Sequence, residues 1–339
     1  MTTYIIRRVL SGLAMLVVVS IITFGIFFLV PRIAGVTPDG MASRYVGPRA
    51  TPERVHEVAV KMGFYDPIYV QYGRWIGAVF VGRDYDYGPA VEHCSAPCFG
   101  YSFVRSSPVW PDLVDRAGTT ASLVVGAALI WLVFGVATGV ISALRRGSFF
   151  DRAAMTMALG GVSLPIFFTG LVSLIIFSYG HPFRVTAPGS TYTKFTENPG
   201  LWAYDLILPW ITLAFLLAAG YARLTRAGML DTMNEDYVRT ARAKGLTERR
   251  VVVRHGLRAA LTPIVTIFGL DVGLLLGGAV LTESTFSLPG LGKYAIDAVV
   301  RQDLPQVMGA TMFASFFIVL ANLVVDLVYG VVDPRVRLS

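Results

Sequence analysis

Residues 235–246, with the sequence Glu-Asp-Tyr-Val-Arg-Thr-Ala-Arg-Ala-Lys-Gly-Leu, form a polar and basic segment between two hydrophobic stretches, 201–221 and 261–282. The interval between these stretches contains nine Lys and Arg. Each stretch is long enough to cross a bilayer, which takes about 20 apolar residues. The pattern predicts a membrane protein that presents a basic segment to another subunit.

The composition of this segment predicts two short helices separated by a glycine. We expect Asn234 or Asp236 to cap the first helix. Gly245 is expected to end it, because glycine readily adopts the left-handed conformation of a helix C-terminus. Thr247 is then expected to cap a second helix that ends at Pro263.

Two small residues suggest how the first helix binds. Ala241 and Ala243 are expected to let it seat closely in a groove of a partner. The alternative is an ordinary basic cytoplasmic loop, since such loops carry an excess of Lys and Arg. The ordered pattern of cap, helix, glycine, cap and helix favours the docking role.

The composition of the whole chain also predicts a polytopic membrane protein. Of its 339 residues 54% are hydrophobic and 15% are charged, and the mean hydropathy is +0.61. Soluble domains contain about 25% charged residues. The first apolar run is too long for a signal peptide and lacks a small-residue cleavage site. The six candidate spans are residues 9–31, 118–144, 153–180, 201–221, 261–282 and 308–332.

The distribution of Lys and Arg predicts that both termini are cytoplasmic. With the N-terminus inside, the inner segments hold 16 Lys and Arg in 62 residues, and the outer segments hold 13 in 130. The pI of about 9.5 therefore reflects orientation, and no basic patch interleaved with aromatics indicates nucleic-acid binding. The inner segments are 1–8, 145–152, 222–260 and 333–339.

The loop 32–117 is predicted to be the large extramembrane piece. Thr51 and Pro52 are typical of a helix start, and that helix is expected to end near Gly63. The stretch 69–76 has apolar and aromatic residues at helical spacing and is expected to lie along the outer membrane face.

Both cysteines of the chain, Cys94 and Cys98, lie in this loop. An oxidising compartment favours a disulfide between them. The alternatives are two free thiols, or a metal site with His93, for which His56 is the only other histidine in the loop.

Three acids lie within or at the edge of predicted spans: Asp205, Asp271 and Asp326. Intramembrane carboxylates are costly and indicate a function by default, so Asp271 could be the proton-coupling residue of a self-sufficient secondary transporter. The alternative, which we favour, is an acid hydrogen-bonded to a neighbouring span. Asn322, one turn before Asp326, is consistent with that interpretation.

Glycines and prolines predict the local geometry of the spans. Pro165 and Pro209 are expected to kink the third and fourth spans. A small-residue face on the fifth span is expected to allow close helix packing and to line a translocation path. This face comprises Gly269, Gly273, Gly277 and Gly278.

No catalytic constellation or nucleotide site is indicated. Residues 289–294, Pro-Gly-Leu-Gly-Lys-Tyr, lack the glycine and the Ser or Thr of a phosphate loop, since Ser287 and Tyr294 occupy those positions. The four histidines are scattered and form no set with Ser, Cys or Asp. The chain is expected to be a non-catalytic subunit that binds no cofactor and no metal.

The run 236–246 resembles the cytoplasmic E-A-A-x3-G loop of ABC importer permeases, in the variant of oligopeptide and dipeptide importers. Arg239-Thr-Ala241 stand in place of E-A-A and depart from it at the first two positions. Similar runs extend over nearly the whole chain: 62–75, 254–255, 261–263, 283–292, 322–326 and 333–335. The segment 83–100 departs from the family and resembles an insertion.

The resemblance implies an all-α, six-transmembrane-helix ABC importer permease bundle of the B type, with an extracytoplasmic insertion between helices 1 and 2. The expected parts are 1–31, the insertion 32–117, the core 118–332 with coupling loop 222–260, and a cytoplasmic tail 333–339. The implied ATPase-coupling residues are Tyr237, Arg239, Thr240, Ala241, Ala243, Gly245 and Leu246. The implied outer gate region contains Phe286, Pro289, Gly290 and Gly292.

The resemblance also implies the partners and the location. A second permease subunit, one or two cytoplasmic ATPases that bind ATP and Mg, and an extracytoplasmic peptide-binding protein are expected, in a bacterial inner membrane and in contact with lipid. The implied substrate is an oligopeptide or dipeptide. A nickel importer permease is the alternative within the class, and a secondary transporter is the alternative outside it.

Overall fold

The computed structural model describes residues 2–46, 50–86, 91–102, 104–179 and 192–332, and these residues are mostly helical. In chain order the helices are α1 (Thr2–Phe24), α2 (Val30–Ile33), α3 (Pro38–Val46), α4 (Pro52–Lys61), α5 (Ile68–Val81), α6 (Val109–Leu144), α7 (Phe149–Ser163), α8 (Ile166–Leu174), α9 (Pro199–Met233), α10 (Asp236–Ala243), α11 (Glu248–Arg250), α12 (Arg258–Leu276), α13 (Val280–Thr285), α14 (Leu291–Val300) and α15 (Leu304–Val332). Three π-helical turns continue α1, α8 and α11: Gly25–Leu29, Ile175–Tyr179 and Val251–Leu257.

Five helical stretches are long and apolar enough to cross a membrane, and a bent pair of helices supplies a sixth. The bend, of 103°, separates α7 from α8 at Pro165, which confirms the predicted kink there. At Pro209, in contrast, α9 continues as a helix. The five stretches are Ile5–Ile33, Val109–Leu144, Pro199–Met233, Glu248–Leu276 and Leu304–Val325.

The chain divides into two compact units. Unit 1 comprises Met1–Gly118 and Gly290–Leu320, and unit 2 comprises Thr119–Pro289 and Ala321–Ser339. The first of these boundaries lies beside the predicted one at 117/118. Unit 1, however, also contains the first span and a segment from near the C-terminus, so it is larger than the loop 32–117.

The core of unit 1 is aromatic. Phe24 stacks on Phe28 with ring centroids 4.5 Å apart, and Trp75 and Phe64 pack beside them. The predicted start of α4 is confirmed, because the Thr51 side chain accepts a hydrogen bond from the Arg54 amide. This helix ends at Lys61, close to the predicted end.

Two short antiparallel hairpins follow α5 in unit 1. The first pairs β1 (Arg83–Asp86) with β2 (Val91–Cys94), and the second pairs β3 (Tyr101–Ser102) with β4 (Ser107–Pro108). The polypeptide between β2 and β3 carries Cys98. The first hairpin lies within the segment 83–100 that departs from the family pattern, and the second hairpin follows it.

The core of unit 2 depends on a close approach of α6 and α9. A Cβ added at Gly139 would lie 2.5 Å from the Cβ of Thr225 and 2.6 Å from the carbonyl oxygen of Ala222. Only glycine fits this contact without a shift of one helix. Along the same interface Trp131 is fully buried against Tyr221.

Two predictions for the fifth span are wrong. The second short helix does not end at Pro263, because α11 continues through a π-helical turn into α12 as far as Leu276. The small-residue face is shorter than predicted, since Gly277 is the C-cap of α12 and Gly278 lies beyond it. A proline inside a transmembrane helix is tolerated because neighbouring groups can satisfy the freed carbonyl.

The close contact at Gly139 yields a stability prediction. Gly139→Ala should lower the free energy of unfolding of unit 2 by about 1–3 kcal/mol, because the new methyl group overpacks the interface of α6 and α9. Gly220→Ala is the matched control, since no atom lies within 4 Å of a Cβ added at Gly220 in α9. Thermal unfolding in detergent measures both. Equal midpoints for the two variants would contradict the tight contact.

Candidate functional site

The basic segment between the fourth and fifth spans folds as predicted around its glycine. Helix α10 ends at Ala243, and Gly245 has a φ of +78°, the left-handed conformation that favours glycine. Thr247 occupies the N-cap position of α11 as predicted, but its side chain makes no capping hydrogen bond. The first cap is corrected: Glu235 holds that position, and its side chain makes no capping hydrogen bond.

A small hydrophobic cluster lies beneath α10. Val238, Ala241 and Val251 are buried in it, and Met233 and Leu246 pack against them. The prediction that Ala241 seats in a partner's groove is therefore corrected, because Ala241 is 6% exposed and faces the chain's own core. Its small size allows α10 to approach the start of the following helix.

Polar contacts brace the same turn. Arg242 donates to both carboxylate oxygens of Glu248, at 2.8 and 3.1 Å, across Gly245. The Tyr237 hydroxyl donates to the carbonyl oxygen of His255 at 3.4 Å. Partial burial, and secondarily the charge of Glu235, raises the pKa of Tyr237.

The opposite face of α10 is exposed. Arg239, Thr240 and Ala243 point away from the cluster, and Lys244 extends the face by one residue. Tyr237, which is 46% exposed, lies at its edge. The face combines cations, a hydroxyl and a small residue, so it offers hydrogen-bond donors around a site of close approach.

The segment is joined rigidly to both flanking spans. In a second cluster Met229 of α9 packs with Val252 and with Ala260 of α12, and all three are buried. The π-helical turn Val251–Leu257 carries the chain from α11 into α12 without a break. Helix α10 is therefore packed against the ends of both flanking helices.

Two of the three predicted intramembrane acids accept hydrogen bonds within unit 2. Asp271 in α12 accepts a hydrogen bond of 2.7 Å from the hydroxyl of Tyr221 in α9, as the favoured interpretation requires. Asp205 accepts one of 3.0 Å from the Thr193 amide. The side chain of Asp326 lies outside the described residues.

The predicted outer gate segment spans the boundary of the two units. In unit 2, Phe286 packs against the main core cluster of that unit. In unit 1, Gly290 is the N-cap of α14 and Gly292 is buried in its first turn. Pro289 is the last residue of its stretch of unit 2.

The sequence reasoning missed a buried acid beside this segment. Glu283 in α13 is fully buried, and it accepts a hydrogen bond of 2.7 Å from Thr120 in α6. Glu283 lies in the run 283–292 that resembles the family, but its hydrogen-bond partner Thr120 is 163 residues away in the chain.

In unit 1 the disulfide between Cys94 and Cys98 is present, and both residues are 1% exposed. The metal alternative therefore fails, because the disulfide takes both thiols. His93 pairs with Asp84 across the first hairpin at 2.5 Å.

A buried polar network ties the second hairpin to the start of α15. The Ser102 hydroxyl donates to Asp303, and Gln306 donates to the Ser102 oxygen at 2.9 Å. Burial raises the pKa of the Asp303 carboxyl, and the hydrogen bond from Ser102 partly opposes that rise. Asp303 and Gln306 are 201 and 204 positions from Ser102 in the chain, so the sequence offered no signal for this network.

Taken together, the spans and the exposed basic helix between two of them define a multi-pass membrane subunit that another protein engages. Residues 135–338 match the family described as binding-protein-dependent transport system inner membrane component, and residues 1–124 match the model of its N-terminal region. The chain belongs to this family. Membership makes it a transport permease subunit that works with a binding protein and an ATPase.

Curated relatives align along their whole length. The di/tripeptide transport system permease protein DppB of Pseudomonas aeruginosa (strain UCBPP-PA14) is 36% identical over 354 residues, with 99% of each chain covered. The dipeptide transport system permease protein DppB of Escherichia coli (strain K12) is 35% identical over 357 residues, with the same coverage. A Brucella abortus (strain 2308) protein, named as a permease of a peptide transport system, is 36% identical over 340 residues, again with 99% of each covered.

The raised pKa of Asp303 predicts a pH dependence of unit 1. A carboxyl whose folded pKa is raised stabilises the fold fully below its unfolded pKa, near 3.9, and loses that contribution as pH rises through the folded pKa. Stability of the hairpin region should therefore fall as pH rises above the unfolded pKa, and Asp303→Asn should remove this part of the decline. Amide hydrogen exchange over residues 94–108 at a series of pH values, corrected for the intrinsic pH dependence of exchange, measures it. Identical pH profiles for wild type and Asp303→Asn would contradict the prediction.

Proposed function

We propose that this chain is one of two permease subunits of an ATP-driven peptide importer and forms half of its translocation pathway. The observation that carries the proposal is the exposed face of α10 on a helix packed rigidly against two spans. The names of the relatives favour peptide over nickel as the substrate. The hydrogen bond from Tyr221 gives Asp271 a structural role, which weakens the case for a secondary transporter.

The proposed arrangement follows the positive-inside rule. Six crossings, with α7 and α8 as one broken span, place both termini and α10 on the cytoplasmic side of a bacterial inner membrane. There the ATPase subunits bind ATP and Mg, and this chain contributes no catalytic group. A second permease completes the pathway, and an extracytoplasmic peptide-binding protein delivers the substrate to the opposite side.

The proposed mechanism is mechanical. Closure of the ATPases moves α10 as a rigid lever, because its buried face is fixed to the ends of α9 and α12. The displaced spans then favour the outward-open arrangement. ATP shifts this equilibrium only as far as the ATPases bind one arrangement of α10 more tightly than the other.

The test uses the difference between the two alanines of α10, since Ala241 is buried and Ala243 lies on the exposed face. Ala243→Trp adds bulk on the exposed face of α10, so peptide uptake should fall by about 5- to 150-fold, since burying a misfitted side chain at an interface costs about 1–3 kcal/mol. Membrane insertion and thermal stability should stay at wild-type values. Uptake of labelled peptide by cells or proteoliposomes is the measurement.

Two further variants separate docking from folding. Ala34→Trp, at an exposed alanine after the first span, is the matched control and should transport normally. Gly245→Pro should abolish transport with insertion intact, because proline cannot adopt the φ of +78°. Normal uptake by both Ala243→Trp and Gly245→Pro would overturn the lever model.

The disulfide loop of unit 1 is proposed to shape the surface that meets the binding protein. The double substitution Cys94→Ser/Cys98→Ser should weaken binding-protein affinity several-fold, because the chain between the hairpins loses its covalent closure. Surface plasmon resonance with the reconstituted transporter measures the affinity. Ser95→Ala in the same loop is the control, and wild-type affinity of the double variant would exclude this role.

A further inference from the structure

An apolar groove lies in unit 2 between α6, α7 and α9. Its volume is about 360 Å³, and its lining consists of three phenylalanines, six alanines, Met157 and Thr138. Along α7 the lining extends from Phe150 to Ala158, which corresponds to about 12 Å of helix. Three of the alanines lie on α7 and three on α9, and α6 approaches α9 closely beside Ala218 and Ala222.

One end of this groove is polar. Ala222 lines the groove, and one turn later in α9 the Arg226 guanidinium makes two hydrogen bonds, of 2.6 and 2.8 Å, to Asp151. Asp151 also accepts from the Gly147 amide at 2.9 Å, and its side chain is 4% exposed. Asp151, the acid in the first turn of α7, is therefore engaged by both Arg226 and the Gly147 amide.

Three arginines at the same turn remain exposed. Arg145 and Arg146 precede the N-cap Ser148 of α7, and Arg152 lies in its first turn, where it donates to the carbonyl oxygen of Gly147. Within the described ranges none of the three lies within salt-bridge distance of a carboxylate, and the charge of Arg146 acts on the Asp151 carboxylate from farther away. Phe149, at 87% exposure, lies among these cations.

We infer that this site binds an anionic phospholipid, with the phosphate at Arg145, Arg146 and Arg152 and an acyl chain in the groove. The charge favours an anion, and the apolar slot beside it favours an amphiphile, since basic pockets between spans bind anionic headgroups. Exposed Phe149 suits the boundary between headgroups and acyl chains. The inference rests on the proposed function only for placing this turn at the cytoplasmic surface.

The bound lipid would wedge between α7 and α9 beside the Arg226–Asp151 pair. The lipid would then hold the N-terminal end of α7, the first helix of the broken third span, against α9. This site is separate from the exposed face of α10, so lipid binding can be measured without transport, and its failure leaves the proposed importer function untouched.

The test is native mass spectrometry of the detergent-purified full chain with its co-purifying subunits, titrated with dioleoyl phosphatidylglycerol or dioleoyl phosphatidylcholine. Phosphatidylglycerol should bind more tightly. Arg145→Gln/Arg146→Gln should weaken its binding about 30-fold, because each arginine near the membrane surface contributes a factor of about 5. Ala154→Trp, which fills the groove, should weaken both lipids, and Ala154→Leu is the milder variant if the first fails to fold.

The matched control is Arg249→Gln/Arg250→Gln, an exposed arginine pair in α11 that borders no such groove. It should bind phosphatidylglycerol like the wild type. Three outcomes would each overturn the inference: equal affinity for the two lipids, equal loss in the two arginine pairs, or wild-type affinity in both folded groove variants. A disulfide from Ala154→Cys to a co-purifying protein would assign the groove to that protein and overturn it as well.

Discussion

The small cluster of Val238, Ala241 and Val251 is the contact on which the rest of the functional architecture depends. A fully buried valine contributes about 1.5–3 kcal/mol, so this cluster suffices to hold an eight-residue helix that would be marginal in isolation. Because one face of α10 is fixed in this way, the other face is exposed in a defined orientation. The loop between the fourth and fifth spans is therefore an ordered element with one buried face and one exposed face.

The same contact makes the loop part of the membrane bundle. Helix α9 reaches Met233 before α10 begins, and the helix that starts at Glu248 continues to Leu276. Met229 and Ala260 pack these two long helices together below the loop. Helix α10 is therefore packed against two long apolar helices, and this packing is the basis of the lever mechanism proposed above.

Local features of the fold were predictable from the sequence, and long-range ones were not. The cap at Thr51, the turn at Gly245 and the break at Pro165 depend on residues next to each other, and the structure confirms them. The end of the second short helix was misjudged because proline was read as a helix breaker, whereas α12 runs through Pro263. The burial of Ala241 could be predicted only if the position of Val251 were known, and the periodicity of α10 does not supply that position.

The most direct test is site-specific cross-linking of α10 in native membranes. Both native cysteines form the disulfide, so Ala243→Cys introduces the only free thiol of the chain. With a short thiol-reactive cross-linker, the account predicts a product between Ala243→Cys and an ATPase subunit whose yield changes with ATP, and none from the buried Ala241→Cys. Absence of any ATPase product from Ala243→Cys, or equal yields from both positions, would contradict the claim that α10 transmits ATP-driven motion.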